Sequence, residues 1–158
     1  MDYALYKYEH KNKLIEEADK KLHRCILATI SILLTTIIIF DIDHFKAIND
    51  IYGHLVGDRA IKQVGELSKT VIKKQGKVFR YGGEEFVGII ENCVIDEVLE
   101  IAESIRTVVE TYEWEEGMKV AVSLGVSQTT NEMRDILDLA DQNLYRAKTQ
   151  GRNQVVYK

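Results

Sequence analysis

The chain has 158 residues, of which 46% are hydrophobic and 29% are charged, and its formal net charge is -4. This length and composition predict one globular domain of ordinary size and exclude a disordered or low-complexity chain. The acidic balance argues against a nucleic-acid binder with a basic surface, although it allows a local basic pocket for one or two nucleotides. Cys25 and Cys93 have no metal-ligand spacing and predict no disulfide framework, so we expect a cytoplasmic protein.

The first 32 residues predict an amphipathic helix followed by an apolar connector. Between about Leu5 and Arg24, apolar side chains recur at helical spacing: Leu14, Ile15, Ala18 and Leu22. The charged start is not typical of a cleavable signal peptide. The uncharged stretch Cys25 to Phe40 has sixteen residues, fewer than the roughly 20 of a spanning helix, so membrane insertion is disfavoured. Residues 25–33 stay open between a helix end, a strand extension and a patch that packs on a partner.

Residues 33–158 predict the main domain, in which strands and helices are mixed. The β-branched run from Leu34 to Phe40 indicates a central strand that is buried on both faces. A short helix is expected from about His44 to Tyr52, ended by Gly53, and a longer helix follows it. Asp58 stands where this second helix should have its N-cap.

A hairpin is expected around Arg80-Tyr81-Gly82-Gly83-Glu84-Glu85-Phe86. Lys77–Phe79 and Phe86–Ile90 are typical of its strands, so the glycines should form the turn and the two carboxylates its tip. Alone, this stretch is more typical of a solvated turn than of a functional site. A carboxylate pair with one more acid nearby is also what a divalent metal with a phosphate substrate needs.

Beyond the hairpin, the sequence predicts a long helix, a strand, a last helix and a short edge strand. The long helix covers about Ile95 to Tyr112, and Lys119 to Val126 alternates as a strand. The last helix covers about Ile136 to Ala147, and the edge strand covers Gln154 to Tyr157. This order predicts an α+β sandwich, with helices packed on a mostly antiparallel central sheet of about five strands.

Three carboxylates are predicted to meet where the first strand ends. If that strand lies beside the hairpin, Asp41 reaches Glu84 and Glu85 at the tip. Such a cluster is costly unless cations neutralise it. The residues therefore predict a site for one or two Mg²⁺ ions.

Several motifs, in this order along the chain, resemble those of the GGDEF-domain diguanylate cyclases. They are Phe40-Asp41-Ile42-Asp43, Phe45-Lys46-x-x-Asn49-Asp50, Gly53-His54-x-x-Gly57-Asp58, Gly82-Gly83-Glu84-Glu85-Phe86 and the stretch from Ala140 to Asn153. The resemblance covers about Leu33 to Tyr157 and implies a polymerase-palm or nucleotidyl-cyclase-like fold with a ferredoxin-like core. It also implies the reaction, in which two GTP molecules become cyclic di-GMP and two pyrophosphates.

The resemblance further implies roles for individual residues. The implied ligands of Mg²⁺ or Mn²⁺ are Asp41, the Ile42 carbonyl, Glu84 and Glu85. The implied catalytic groups are Glu84, Lys46 and Glu85. The implied substrate contacts are Phe45, Asn49, His54, Asp58, Gly82, Gly83, Lys148 and Arg152.

Each polar residue also has an ordinary structural explanation. Lys46 suits a solvated helix face, and Lys148 and Arg152 suit a helix C-terminus, where cations stabilise the dipole. Asp58 suits an N-cap, and Asn49 suits a turn-stabilising amide. An amide and a carboxylate can also pair with the N1–H and 2-amino group of guanine, which adenine does not offer.

Two departures from the family pattern limit what the resemblance implies. The Arg-x-x-Asp pair of the inhibitory product site falls on Lys73 and Gly76, so we do not expect feedback inhibition through that site. Only one leucine of the usual opening motif survives in Tyr3–Lys11, and an upstream sensor domain is expected to be missing or removed.

The implied reaction also constrains assembly. Because each active site holds one GTP, the resemblance implies a homodimer that forms at least transiently. The alternative is a catalytically degenerate domain that binds GTP or a partner as a signalling module. No nucleic-acid partner is expected.

Overall fold

The fold is described from a computed structural model of the chain, for residue 17 and for residues 19–22, 35–128 and 133–158. The chain forms two compact units, Met1–Leu33 and Leu34–Lys158. In the first unit, residues 17 and 19–22 are helical. The rest of the predicted amphipathic helix, the segment Tyr3–Lys11 and the apolar residues 25–33 lie outside the described residues.

The second unit contains the predicted mixture of strands and helices. Its elements are β1 (Thr36–Ile42), α1 (Phe45–Tyr52), α2 (His54–Ile72), β2 (Gly76–Gly82), β3 (Glu85–Ile90), α3 (Ile95–Thr111), β4 (Val122–Gln128), α4 (Met133–Thr149) and β5 (Val155–Tyr157). A 3-10 turn, Glu115–Gly117, precedes β4. The α+β class is confirmed, and β4 begins somewhat later than the alternation of valines predicted.

The five strands form one sheet in the order β2-β3-β1-β4-β5. The central strand β1 is antiparallel to both β3 and β4, β2 is antiparallel to β3, and β5 alone runs parallel to its neighbour β4. In the β1–β3 ladder, Phe40 pairs with Phe86 and Asp41 pairs with Glu85. This register places the end of β1 beside the hairpin, which is the condition under which the sequence predicted that Asp41 meets the hairpin glutamates.

Strand β1 is buried along its whole length because helices cover both faces of the sheet. One face presents Ile38, Phe40 and Ile42 to the core that includes α2 and α3. The other face presents Ile37 and Ile39 to the core under α4. The prediction of a central strand without an exposed face is therefore confirmed.

The predicted N-cap at Asp58 is wrong, because α2 begins four residues earlier, at His54. Gly53 ends α1 and directly precedes α2. Its φ of 85° is left-handed, and its carbonyl accepts the first amides of α2, from Val56 and Gly57, at 3.1 Å each. Gly53 therefore forms the corner between α1 and α2 without a side-chain cap, and Asp58 lies in the second turn of α2.

The predicted hairpin turn is displaced by one residue. Gly82 ends β2 and pairs with Glu85, so the two turn residues are Gly83 and Glu84. Gly83 has the left-handed φ of 50° that such a turn requires. Arg80 Nε donates to the Gly83 carbonyl at 2.8 Å and fixes the turn. One of the two carboxylates is thus in the turn and the other is in the strand.

Candidate active site

The end of β1 and the β2–β3 turn form one side of the candidate site. Asp41 and Glu85 are partners across the β1–β3 ladder. The next residue, Ile42, donates its amide to the Glu84 carbonyl at 3.4 Å. The backbone therefore brings Asp41 beside both glutamates, whose side chains are half-buried.

Asp41 is a buried carboxylate with a lysine partner from the far end of the chain. Its side chain is 9% exposed, and Oδ2 lies 3.0 Å from Lys148 Nζ. Burial raises the pKa of Asp41 to about 6 because it desolvates the charged form. The hydrogen bond and charge of Lys148 oppose this rise, whereas the charges of Glu84 and Glu85 add to it. The environment of Asp41 therefore favours any cation that can reach it.

The donor chemistry here fits a divalent metal. Carboxylate and carbonyl oxygens are the ligands that Mg²⁺ and Mn²⁺ prefer, and Asp41, Ile42, Glu84 and Glu85 supply them at one end of the sheet. Across the described ranges, no three acidic, histidine or cysteine side chains are already grouped around a common metal position. One oxygen of Asp41 is instead occupied by the Lys148 ammonium.

The corner between α1 and α2 holds a second group of predicted residues. The Asn49 side chain lies against Gly57, where a Cβ would overlap Asn49 Oδ1 and would come 3.1 Å from the Phe45 ring. Asn49 Oδ1 is buried and has no hydrogen-bond partner within the described part of the chain. A buried acceptor without a donor costs about 1–3 kcal/mol, so a ligand donor that reached this oxygen would stabilise the corner.

The other residues predicted around this corner are exposed. Asp58 lines a groove of about 640 Å³ between α2 and the hairpin strands, together with Arg80 and Phe86. His54 is the first residue of α2, and Lys46 lies in the first turn of α1. In the described residues, neither His54 nor Lys46 forms an ion pair with the buried carboxylate of β1, which is paired with the lysine of α4.

Lys148 and Arg152 lie on either side of the end of α4. Three consecutive residues after the helix have positive φ: Gly151 at 122°, Arg152 at 64° and Asn153 at 44°. The Arg152 amide donates to the Ala147 carbonyl at 3.0 Å, and the Arg152 side chain is exposed. A left-handed turn therefore presents Arg152 just beyond the ion-paired Lys148.

Asp43 is a buried residue to which the sequence reasoning gave no role. Ser123 Oγ donates to Asp43 Oδ1 at 2.6 Å, and the Asn153 amide donates to Oδ2 at 2.9 Å. The Asp43 amide itself donates to the Ala121 carbonyl at 2.9 Å. Asp43 therefore ties the end of β1 to the start of β4 and to the turn that carries Arg152. The signal in the sequence is the second aspartate that follows the first by two residues.

Lys73 and Gly76 lie at the end of β2 remote from the turn. Lys73 is exposed and follows α2 with a φ of 49°. A Cβ at position 76 would overlap the Ile89 carbonyl oxygen and would come 2.7 Å from Ile90 Cδ1. Position 76 therefore accepts no side chain unless β3 moves, and a carboxylate does not fit there.

Two solved structures share this fold. The active GGEEF domain of a diguanylate cyclase from Vibrio cholerae is 34% identical, with a TM-score of 0.74, over 77% of this chain and 81% of that chain. The GGDEF domain of DgcB from Caulobacter crescentus, solved in complex with c-di-GMP, is 30% identical, with a TM-score of 0.75, over 89% of this chain and 88% of that chain. The fold predicted from the resemblance is thereby confirmed.

An uncharacterized membrane protein of Staphylococcus aureus (strain USA300) is 36% identical over 94% of this chain and 41% of its own length. The chain thus spans about two fifths of the length of the curated relatives it matches. None of the helices in the described residues has the length and apolar character needed to cross a membrane. The family model for the GGDEF domain of diguanylate cyclases matches residues 11–154. The chain belongs to the GGDEF family of diguanylate cyclase domains.

Proposed function

We propose that the chain is a diguanylate cyclase, which condenses two GTP molecules into cyclic di-GMP and releases two pyrophosphates. The observation that carries this function is the buried Asp41 carboxylate, ion-paired with Lys148 and flanked by the hairpin glutamates. A buried acid with a raised pKa and a specific charged partner is typical of sites that handle charged substrates. Membership of the family supports the same activity.

The reaction joins the two nucleotides twice. The 3′-hydroxyl oxygen of one GTP attacks the α-phosphorus of the other, the bond from that phosphorus to the β-phosphate oxygen breaks, and pyrophosphate leaves. Glu84 takes the proton of the attacking hydroxyl, because its half-buried carboxylate lies in a turn whose neighbouring glycine has no side chain to block a ligand. A second transfer in the opposite direction closes the ring.

Asp41, the Ile42 carbonyl, Glu84 and Glu85 would hold one or two Mg²⁺ or Mn²⁺ ions. When bound, such an ion would lower the pKa of the attacking hydroxyl and neutralise charge on the α-phosphate. We assign Glu85 to sharing or orienting this ion, since it is the direct ladder partner of Asp41.

Cations from both ends of the domain are assigned to the phosphates. Lys46 supplies positive charge in the transition state, while Lys148 and Arg152 bind the triphosphate. A bound triphosphate would compete with Asp41 for the Lys148 ammonium. Gly82 and Gly83 have open space where a Cβ would lie, which leaves room for the substrate beside the turn.

Asn49 and Asp58 are assigned to the guanine base. The unpartnered Oδ1 of Asn49 can accept a hydrogen bond from guanine, and the exposed Asp58 carboxylate can accept a second one. Guanine offers N1–H and a 2-amino group on one edge, whereas adenine does not, so the pair favours GTP over ATP. Phe45 and His54 lie at the same corner, where they shape the pocket.

The reaction requires two domains that face each other, since each contributes one bound GTP. We therefore assign it to a homodimer in the cytoplasm that forms at least transiently. A sensor domain outside this chain would control the pairing of the two domains.

The test is direct. Purified protein is incubated with GTP and Mg²⁺ at several protein concentrations, and the nucleotides are identified by mass spectrometry. Formation of cyclic di-GMP, at a rate that rises more than linearly with protein concentration, supports both the cyclase and the dimer. Bound GTP with no cyclic di-GMP at high protein concentration would refute catalysis and favour a domain that signals by binding.

A further inference from the structure

The turn that presents Arg152 has an unfavourable backbone conformation, which its own hydrogen bond, from the Arg152 amide to the Ala147 carbonyl at 3.0 Å, supports only in part. Gly151, Arg152 and Asn153 all have positive φ, which glycine and asparagine tolerate but which is unfavourable for Arg152. Such a conformation persists only where surrounding contacts determine it. Besides the bond from the Arg152 amide to the Ala147 carbonyl, the contacts that hold Asn153 therefore help to orient Arg152.

The Asn153 side chain is held by two residues of α3, a helix to which no part of the proposed site was assigned. Arg106 Nη1 donates to Asn153 Oδ1 at 3.1 Å and to Glu110 Oε2 at 2.7 Å. Asn153 Nδ2 donates to Glu110 Oε1 at 2.6 Å. The pKa of Glu110 is lowered by both hydrogen bonds, and the one from Arg106 has the larger effect. Both ends of the amide are thus fixed by a charged pair.

Arg106 is itself held in place. Its side chain is 20% exposed, and its Nε donates to Glu103 Oε2 at 2.7 Å. A guanidinium bound on two sides by carboxylates has little freedom, and its planar fork can reach the Asn153 amide as well. A lysine ammonium has no such fork.

The backbone amide of Asn153 forms a hydrogen bond close to Asp41, one of the proposed metal ligands. The Asn153 amide donates to Oδ2 of Asp43 at 2.9 Å, and Asp43 directly follows β1, two positions after Asp41. Asn153 therefore links three elements: α3 through its side chain, β1 through its amide, and the end of α4 through the chain itself. Asn153 thus connects the turn that carries Arg152 to the end of the strand that carries Asp41.

We propose that Arg106 and Glu110 are positioning residues for the triphosphate end of the site: through Asn153 they hold the turn that presents Arg152 beyond Lys148. This role rests on the proposed binding of GTP. Neither residue touches the nucleotide. When the hydrogen bonds from Arg106 and to Glu110 are lost, the Arg152 backbone relaxes toward an ordinary right-handed φ. The Arg152 guanidinium then moves away from the triphosphate, whereas the guanine-binding residues of α1 and α2 are unaffected.

The test compares two nucleotides that differ only in their phosphates. Binding of 3′-deoxy-GTP, which lacks the attacking hydroxyl, and of 3′-deoxy-GMP is measured by calorimetry with Mg²⁺ for the full chain. Arg106→Gln is expected to weaken 3′-deoxy-GTP about tenfold, as for the loss of one charge-assisted hydrogen bond, and to change 3′-deoxy-GMP by less than about twofold. Arg106→Lys should not restore the affinity, because one ammonium cannot reproduce the fork.

Matched variants separate positioning from general stability. Arg59→Gln removes another arginine–glutamate pair, with Glu115, whose side chains are 53% and 60% exposed, and should leave both affinities unchanged. Asn153→Gly keeps the positive φ but removes the side-chain contacts, so it should reproduce the loss even if Arg106→Gln folds poorly. The double variant should be no weaker than either single variant, because both break the same link.

Amide hydrogen exchange gives a readout that needs no nucleotide. Arg106→Gln should speed exchange in the peptide that contains Asn153 about tenfold and leave β1 unchanged. Equal losses for both nucleotides, additive losses in the double variant, or unchanged exchange would overturn the positioning role. So would a wild-type chain that binds both nucleotides equally.

The cyclase proposal fails separately from this inference. A chain that binds 3′-deoxy-GTP selectively and loses that selectivity in Arg106→Gln, yet forms no cyclic di-GMP from GTP, keeps the positioning role and refutes catalysis. A chain that forms cyclic di-GMP while Arg106→Gln binds both nucleotides normally refutes the positioning role alone.

Discussion

Replacement of Asp41 by asparagine tests the electrostatic state of the carboxylate at the end of β1. Asparagine keeps the shape of the side chain and removes its charge. Burial raises the pKa of Asp41 from its usual 3.8 to about 6, so the folded protein binds this proton more tightly than the unfolded chain does. Between those two pH values the free energy of unfolding of the wild type therefore falls as pH rises. Above pH 6 the whole cost of ionising the buried Asp41 carboxylate is present.

The magnitude follows from the pKa difference of about 2, which corresponds to about 3 kcal/mol at 1.36 kcal/mol per pKa unit. Part of this penalty is already present at pH 4, so the wild type should lose about 2–3 kcal/mol relative to Asp41→Asn between pH 4 and pH 8. At about 2–4 °C per kcal/mol for a domain of this size, the Tm of the variant relative to wild type should rise by about 5–10 °C. Lys148 loses its partner but is 30% exposed, so water can solvate its ammonium.

The assay is thermal unfolding in metal-free buffer at several pH values between 4 and 8. Asp138→Asn is the matched control, because it removes one exposed carboxylate from α4 and corrects for the change in net charge. A Tm difference between Asp41→Asn and wild type that does not depend on pH would contradict the reasoning from burial.

Three further substitutions test two other parts of the site and the packing between β2 and β3. Glu84→Gln should lower cyclic di-GMP formation at least about 100-fold with a nearly unchanged Tm, and residual turnover close to wild type would rule out Glu84 as the base. Gly57→Ala drives a Cβ into Asn49 Oδ1 and should weaken GTP binding about tenfold in calorimetry; normal affinity would remove Asn49 from the pocket. In Gly76→Ala the new Cβ meets the Ile89 carbonyl, so the domain should be destabilised by about 1–3 kcal/mol in urea unfolding; an unchanged free energy of unfolding would show that β3 moves without cost.

The sequence predicted those parts of the fold that depend on the local order of apolar and polar residues. The β-branched run of β1 lacks any polar alternation, which fits a strand covered on both faces, and the structure buries all of it. Apolar residues that recur at helical spacing likewise predicted α1, α2 and α3. The meeting of Asp41 with Glu85 followed once β1 and the hairpin were placed side by side.

The parts that were missed depend on contacts that no local pattern encodes. Asp58 resembles an N-cap, but the φ of Gly53 lets the chain turn straight from α1 into α2, so the helix starts before it. The hydrogen bond between Asp43 and Asn153 joins residues 110 apart in sequence. Since each could bond to many partners, only the folded chain identifies the pair.

The absence of the Arg-x-x-Asp pair at positions 73 and 76 is explained by backbone packing as well as by residue type. Gly76 pairs with Ile90 in the β2–β3 ladder, and its Cα faces the Ile89 carbonyl so closely that no side chain fits. Exchanging side chains alone would therefore not rebuild an Arg-x-x-Asp pair at positions 73 and 76, because β3 would have to move. Strand β3 begins with Glu85, the ladder partner of Asp41. A carboxylate at position 76 would thus strain the same strand that carries the proposed metal site, which supports the expected loss of product feedback there.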